Sequence, residues 1–201
     1  MLIADGKEYE EEKFEGRVTE SESVNGSKFI KCDFRKADMK ELSIRKCSFS
    51  DCDFTGARFN ASVLQNSLFA NCVFKGSSLF SVKFDNCKMT GSNFNGVNLE
   101  GVSIIEGDWS YTVMRQLKLN KFNFKKLRLN EADFYCSELE GADFRDADLT
   151  RANLSGAKLK GADLRGAKID GVDFKNVDIR GLRLDMMQAV YVVASMGAKI
   201  E

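Results

Sequence analysis

The chain repeats every five residues from Phe14 to Leu184, and this spacing restricts its possible folds more than any other feature. Of the 35 positions reached in steps of five, only Thr19 is not a large apolar residue, and fourteen of the sixteen phenylalanines fall on this register. The register continues without a break, so no insertion is expected. A period of five matches neither an α-helix, at roughly 3.6, nor a flat strand, at about 2. The chain must therefore turn at fixed intervals.

The other positions of each five-residue unit are also restricted. Two residues before the apolar position, small residues recur, mainly Ala and Cys, and one residue before it Asp or Asn recurs. Two residues after it, glycine recurs, and thirteen of the sixteen glycines occupy that place. Gly, Asp and Asn favour turns because they tolerate positive φ or bond to nearby backbone. The apolar residue and the residue two before it are predicted to point inward, and the other three outward.

This pattern resembles the pentapeptide-repeat family, whose motif is A-(D/N)-L-x-x. The clearest run is ADFRDADLTRANLSGAKLKGADLRGAKIDG, residues 142–171. The resemblance implies an all-β fold, a right-handed quadrilateral parallel β-helix of eight to nine turns, with four five-residue units per turn. We expect residues 1–184 to form this solenoid, regular from about residue 12, and residues 185–201 to form a C-terminal helix and short tail.

At twenty residues per turn, every fourth apolar position lies on the same side of the solenoid. The side that begins at Phe14 carries phenylalanine in nearly every turn, and offset stacking of the rings adds to the effect of their burial. The predicted core ladder is Phe14, Phe34, Phe54, Phe74, Phe94, Phe134 and Phe174.

Composition disfavours an enzyme. The chain has no histidine, the commonest general base and metal ligand, and the repeat brings no nucleophile and base together. Five of the six cysteines occupy the inward position two before the apolar residue, where a thiol acts as a small buried hydrophobe. We therefore expect no catalytic activity, no metal and no cofactor.

The N-terminus has no basic region followed by an apolar stretch, and no segment reaches the roughly 18 apolar residues that span a membrane. A cytoplasmic protein with no membrane contact is expected. Its cysteines should then remain thiols.

After Leu184 the period of five ends and a helical pattern begins, with Asp185 as the predicted N-cap and Gly197 as the residue that ends the helix. Apolar residues occupy most of the helix circumference. Such a helix could simply cover the open end of the solenoid. The interpretation we favour is that it also forms the interface of a two-fold homodimer. The predicted interface is Met186, Met187, Val190, Tyr191 and Ala194.

The C-terminal segment, with Leu184, Asp185, Gln188, Ala189 and then Met196-Gly197, resembles the dimerisation module of the Qnr and MfpA quinolone-resistance group. The resemblance implies a non-enzymatic protein that binds DNA gyrase and topoisomerase IV by imitating duplex DNA, and protects these enzymes from quinolones or modulates them. The alternative is a pentapeptide-repeat scaffold that binds another protein partner and has no topoisomerase activity.

The distribution of charge bears on DNA mimicry, which requires an acidic surface. Residues 1–25 carry eight acidic and three basic residues, residues 26–130 nine and seventeen, and residues 131–180 eleven and eight. The basic middle departs from the pattern of a mimic. Direct binding of nucleic acid is not expected either, because no aromatic stacking platform is evident. The candidate partner-binding acidic surface is Asp143, Asp146, Asp148 and Asp163.

Overall fold

The structure is a computed structural model that describes residues 2–199. Met1, Ile200 and Glu201, which belong to the ranges predicted as solenoid and tail, lie outside the described residues. The chain divides into two compact units, Met1–Asp108 and Trp109–Glu201. Both are parallel β-solenoids whose turns have four short sides, one five-residue unit to a side.

In the first unit, regular strands occupy two of the four sides. One side is a six-stranded parallel sheet of β1 (Glu8–Glu10), β3 (Lys28–Ile30), β5 (Ser48–Ser50), β7 (Leu68–Ala70), β9 (Cys87–Lys88) and β11 (Gly107–Asp108). The other is a five-stranded parallel sheet of β2 (Ser23–Asn25), β4 (Ser43–Arg45), β6 (Val63–Gln65), β8 (Lys83–Asp85) and β10 (Ser103–Ile104). Phe29 pairs with Phe49, and Phe49 with Phe69, so successive turns are offset by twenty residues.

The remaining sides are ladders of single parallel bridges with the same offset. In the first unit these ladders include the pairs Asp33–Asp53 and Asp38–Arg58. The second unit has four such ladders, which include the pairs Val113–Asp133, Lys118–Glu138, Asn123–Asp143 and Arg128–Asp148. The second unit ends in helix α1 (Met186–Ser195). No helix within residues 2–199 is long and apolar enough to cross a membrane.

Two columns of aromatic rings fill the core of the first unit. The column of the predicted ladder stacks with 4.7–5.0 Å between ring centroids, from Phe14 through Phe34, Phe54 and Phe74 to Phe94. A second column of Tyr9, Phe29, Phe49 and Phe69 stacks beside it with spacings of 4.6–5.1 Å. Several pairs of rings from the two columns meet edge to face, an arrangement that aromatic quadrupoles favour. Both aromatic stacks contribute to the same core.

The other members of the predicted ladder lie in the second unit. Phe134 and Phe174 have no exposed surface. Phe134 packs edge to face against Phe124 and Phe144, so its aromatic neighbours lie on another side of the solenoid. Phe124 and Phe144 stack on each other with 4.8 Å between ring centroids, so rings of one side also stack in the second unit.

The register slips by one residue in the first turn, where an unbroken repeat was predicted. Arg17 bridges to Asp38, an offset of 21 residues, and Val18 is as fully buried as the regular core residues. Thr19 forms a local turn instead, since its Oγ1 accepts a hydrogen bond from the Ser21 amide at 3.1 Å. The prediction was wrong here because a threonine hydroxyl can bond the backbone two residues on, which stabilises a turn. An open cavity of about 310 Å³ borders this irregular segment.

Gly107 lies where the backbone of β11 closely approaches that of β9 at Cys87. Its φ is +145°, and a Cβ atom at this position would overlap the carbonyl oxygen of Cys87. The substitution Gly107→Ala is expected to lower the free energy of unfolding by about 2–3 kcal/mol, because the strained backbone must be kept while the Cys87 carbonyl moves. Urea unfolding followed by circular dichroism measures the loss.

Gly96 provides the matched control for Gly107. Its φ is also positive, at +73°, but no atom lies within 4 Å of a Cβ built there. The substitution Gly96→Ala therefore isolates the conformational effect of positive φ, about 1 kcal/mol. Equal losses from the two substitutions would contradict the close approach at Gly107.

Candidate functional site

Helix α1 begins at a capping box. The Asp185 carboxylate accepts a hydrogen bond from the Gln188 amide at 3.0 Å, and the Gln188 side-chain oxygen accepts one from the Asp185 amide at 3.0 Å. Both amides would otherwise lack partners at the helix start. The helix ends with Met196 as C-cap, followed by Gly197 at a φ of +97°. The predicted N-cap and C-terminal glycine are confirmed.

One face of α1 covers the last turn of the solenoid, through Gln188 and Val192. The Gln188 side-chain amide donates hydrogen bonds to the carbonyl oxygens of Leu164 and Ala167, at 2.6 and 2.7 Å. The hydroxyl of Tyr191 accepts a hydrogen bond from the Gly171 amide. These backbone groups belong to the last turns of the solenoid, where the helix takes the place of a further turn. Sequence reasoning missed Gln188 and Val192, since it looked for an apolar stripe only.

The other face of α1 is apolar and exposed. Met186 and Met187 are 79% and 76% exposed, and Val190 and Ala194 are exposed beside them. Tyr191, the fifth residue of the predicted interface, is half-buried because its hydroxyl is tied to the solenoid. Val193 and Met196 extend the same exposed apolar surface, which we call the outer face of α1. Contiguous exposed apolar side chains of this kind commonly mark protein interaction sites.

The predicted acidic surface is largely neutralised. The Asp143 carboxylate accepts two hydrogen bonds from the Arg145 guanidinium, at 2.9 and 2.6 Å. Asp163 accepts the same pair of bonds from Arg165, at 2.9 and 2.7 Å. Because planar bidentate pairs are the strongest form of this interaction, little net negative charge is left at either aspartate.

The other two aspartates of that surface differ from each other. Asp148 lies 3.5 Å from the Lys168 ammonium and accepts a hydrogen bond from the Thr150 hydroxyl at 2.6 Å. Asp146 is exposed at a corner with a φ of +59°, and among residues 2–199 it has no ion pair. Three of the four predicted acidic residues are therefore paired with a base.

The hydrogen bonds from Arg165 lower the pKa of Asp163 to about 2, and Arg183 acts in the same direction. An unfolded aspartate has a pKa of about 3.9. The ion pair should therefore contribute stability above about pH 4 that is lost as the pH falls through about 2. The free energy of unfolding, measured in urea, should fall less for Asp163→Asn than for the unaltered protein as the pH is lowered from about 4 to about 2.

Asp173 offers the control for this pH dependence. Its carboxylate accepts only a backbone hydrogen bond, from the Lys175 amide at 2.9 Å, among the interactions of residues 2–199. The substitution Asp173→Asn should leave the pH dependence of unfolding close to that of the unaltered protein. An identical decline for Asp163→Asn and the unaltered protein would contradict the assigned role of the Arg165 pair.

The cysteines lie where the repeat predicts. Cys32, Cys47, Cys52, Cys72 and Cys87 are buried free thiols, and Cys136 is half-buried. Burial raises the pKa of Cys87 to about 11, so this thiol stays protonated and unreactive at neutral pH. Within residues 2–199, no group of three His, Cys, Asp or Glu side chains is arranged to hold a metal ion.

The fold is similar to those of solved solenoids. A trypsin-treated variant of QnrB1, a plasmid-mediated fluoroquinolone resistance protein, is 21% identical with a TM-score of 0.78, and the match covers 100% of this chain and 98% of that one. Full-length QnrB1 is 20% identical with a TM-score of 0.55, over 95% and 100% of the two chains. HetL, a pentapeptide-repeat protein involved in heterocyst differentiation regulation from the cyanobacterium Nostoc sp. strain PCC 7120, is 20% identical with a TM-score of 0.60, over 89% of each chain.

No curated protein matches this sequence significantly. The family model for the pentapeptide repeat region matches residues 23–80 and 77–154. A second family model, for eight copies of the pentapeptide repeat, matches residues 147–184. Together they cover residues 23–184, which include parts of both compact units. With its four-sided turns and inward apolar column, the chain belongs to the pentapeptide-repeat family.

Proposed function

We propose that this protein is a non-catalytic homodimer that binds DNA gyrase or topoisomerase IV and protects these enzymes from quinolones or modulates them. The observation that carries the proposal is the outer face of α1, an exposed apolar surface on the element that covers the end of the solenoid. The match in fold to a fluoroquinolone resistance protein over the full length of both chains supports the choice of partner.

The two different faces of α1 support the proposed dimer. Gln188 and Val192 already pack against the solenoid, whereas no element within residues 2–199 covers Met186, Met187 and Val190. A two-fold axis through the outer face would bury the same residues of both protomers against each other. The long, flexible methionine side chains suit such a contact because they adapt their shape to it.

The neutralised aspartates affect how such a protein would recognise its partner. A surface with paired charges has a weak long-range field at physiological ionic strength, where the Debye length is about 8 Å. We therefore propose recognition through shape and short-range contacts, with little of the electrostatic steering that a strongly acidic mimic would provide.

A supercoiling assay tests the proposal directly. Purified gyrase is inhibited with a fluoroquinolone, and this protein is titrated into the reaction. Recovery of supercoiling is expected with the unaltered protein and is expected to be lost in Met187→Glu combined with Val190→Glu. Phe80→Glu, which places one charge at an exposed apolar residue of the first unit, is the control and should retain the recovery.

A scaffold that binds a different protein is the second candidate, and the pairing of Asp143 and Asp163 with arginine favours it. A DNA mimic depends on unpaired negative charge along its surface, which these pairs remove. The same assay separates the candidates. No effect on gyrase or topoisomerase IV at saturating concentration, from a protein that is shown to be dimeric, would reject the topoisomerase role and leave the scaffold.

A further inference from the structure

One turn of the second unit carries only positive charge. Residues 109–130 contain six basic residues and no acidic residue. Four of them occupy outward positions along two neighbouring sides of the solenoid. We call these four residues the lysine belt: Lys118, Lys121, Lys125 and Lys126.

The ladders and corners of the second unit place the belt. Lys118 pairs with Glu138 in one ladder. Lys125 lies two residues after Asn123, which belongs to the adjacent ladder. Lys121 and Lys126 occupy corner positions, with φ of +58° and +62°. Lys125 is half-buried and the other three lysines are exposed. The belt therefore runs along one side, around a corner and along the next.

Within residues 2–199, the lysines of the belt form no ion pairs with the acids of the next turn, although the exposed Asp146 lies one turn from Lys126 at the same corner. Glu138, which lies opposite Lys118 in its ladder, is 3.3 Å from the ammonium of Lys158 in the turn beyond. Asp143, opposite Asn123, is held by the guanidinium of Arg145. Each of these two acids is thus engaged by a base outside the belt.

We propose that the lysine belt binds an acidic segment, rich in Asp and Glu, of a protein partner. Four like charges on one turn repel each other, and this repulsion is relieved when carboxylates bind. Lysine ammonium groups are compact charges on flexible stems, so they can follow a series of carboxylates without requiring one rigid geometry.

A nucleic acid fits the belt less well. Binding of single strands uses exposed aromatic rings on which bases stack. The aromatic residue within the belt that is not fully buried, Phe122, is half-buried and packs 4.6 Å from Phe124. Duplex DNA is stiff, with a persistence length of about 50 nm, so it could not follow the corner at Lys121. A flexible acidic peptide meets both requirements.

The belt and the outer face of α1 differ in chemistry, one cationic and the other apolar. Binding to the belt therefore does not depend on the proposed topoisomerase role. If the protein has no effect in the supercoiling assay, the proposal for the belt still stands. If the belt does not bind an acidic peptide, the proposed topoisomerase role still stands.

Fluorescence anisotropy of a fluorescein-labelled peptide of alternating Asp, Glu and Gly residues tests the belt. We expect binding that weakens as salt is added. Changing all four lysines to Gln should raise Kd about tenfold or more, because four exposed ion pairs are lost. The matched control changes four other lysines of the same unit to Gln, which removes the same net charge and leaves the pair of Lys158 with Glu138 intact: Lys160, Lys168, Lys175 and Lys199. This control should bind nearly as well as the unaltered protein.

Three results would overturn the proposal. If the protein does not bind the acidic peptide at low salt, the proposal is wrong. An equal rise in Kd in both quadruple variants would show that net charge alone attracts the peptide. Tighter binding of a single-stranded oligothymidine than of the peptide, also lost in the belt variant, would assign the belt to nucleic acid.

Discussion

Replacing Phe54 with alanine is expected to lower the free energy of unfolding by about 3–5 kcal/mol. The ring has no exposed surface and stacks between Phe34 and Phe74, at 4.8 and 5.0 Å. It also contacts Phe49 and Phe59, both at 5.4 Å. Alanine would remove the buried surface of the ring and leave a cavity that rings in the turns above and below cannot fill, because their backbones are held by the ladders.

Denaturation in guanidinium chloride, followed by far-ultraviolet circular dichroism, measures this loss. Phe80→Ala is the matched control, since Phe80 is 55% exposed, and it should change the free energy by about 0.5 kcal/mol or less. Phe54→Leu should fall between the two because it retains most of the buried volume. A Phe54→Ala variant as stable as Phe80→Ala would contradict the role of the aromatic column.

The combination of Met187→Glu with Val190→Glu is expected to convert the proposed dimer to a monomer. Placing both carboxylates in an apolar contact would bury unpaired charges, each at a penalty of several kcal/mol, so the dimer Kd should rise by about a thousandfold or more. Sedimentation velocity at micromolar protein concentration measures the shift.

The control for this change is again Phe80→Glu, which adds a charge away from α1 and should leave the dimer intact. The melting temperature of the double variant at low concentration should stay close to that of the dissociated unaltered protein, because Met187 is 76% exposed in the protomer. Sedimentation of the unaltered protein as a monomer would reject the proposed interface.

The solenoid could be predicted from sequence because every five-residue unit meets nearly the same environment. Inward apolar residues such as Phe74 in the first unit and Leu149 in the second have no exposed surface. One rule about residue type therefore applies at each repeat. The first turn departs from the rule, since Val18 is fully buried one residue before the expected position, and the hydroxyl of Thr19 accepts a local backbone hydrogen bond.

The packing of α1 could not be predicted from apolar periodicity. The end of a solenoid presents backbone carbonyls, such as that of Ala167, that require a hydrogen-bond donor because no further turn follows. Gln188 supplies it, so a polar residue is among the most buried of the helix. Gln188 at the third helical position can be recognised in the sequence as half of a capping box, but its second role depends on the three-dimensional position of the last turn.

The neutral character of the acidic surface did have a signal in the sequence. In the segments Asp143-Phe144-Arg145 and Asp163-Leu164-Arg165, an aspartate and an arginine flank one inward residue. Both side chains then point outward on the same side and meet, as Asp33 and Arg35 also do. Counting charges over long segments concealed this pairing, which residue spacing alone could have predicted.

The offset of twenty residues between paired sides imposes a rule on how a chain of this kind can change length. Residues 134–153 make up one whole turn. If they were deleted, each side of the solenoid after the deletion would keep its orientation around the solenoid axis. Deleting five residues would advance everything downstream by one side, about a quarter turn. The lysine belt and α1 would then face in different relative directions, although every buried contact type was preserved. Such a protein can therefore gain or lose whole turns without changing the directions in which the lysine belt and the outer face of α1 point relative to each other.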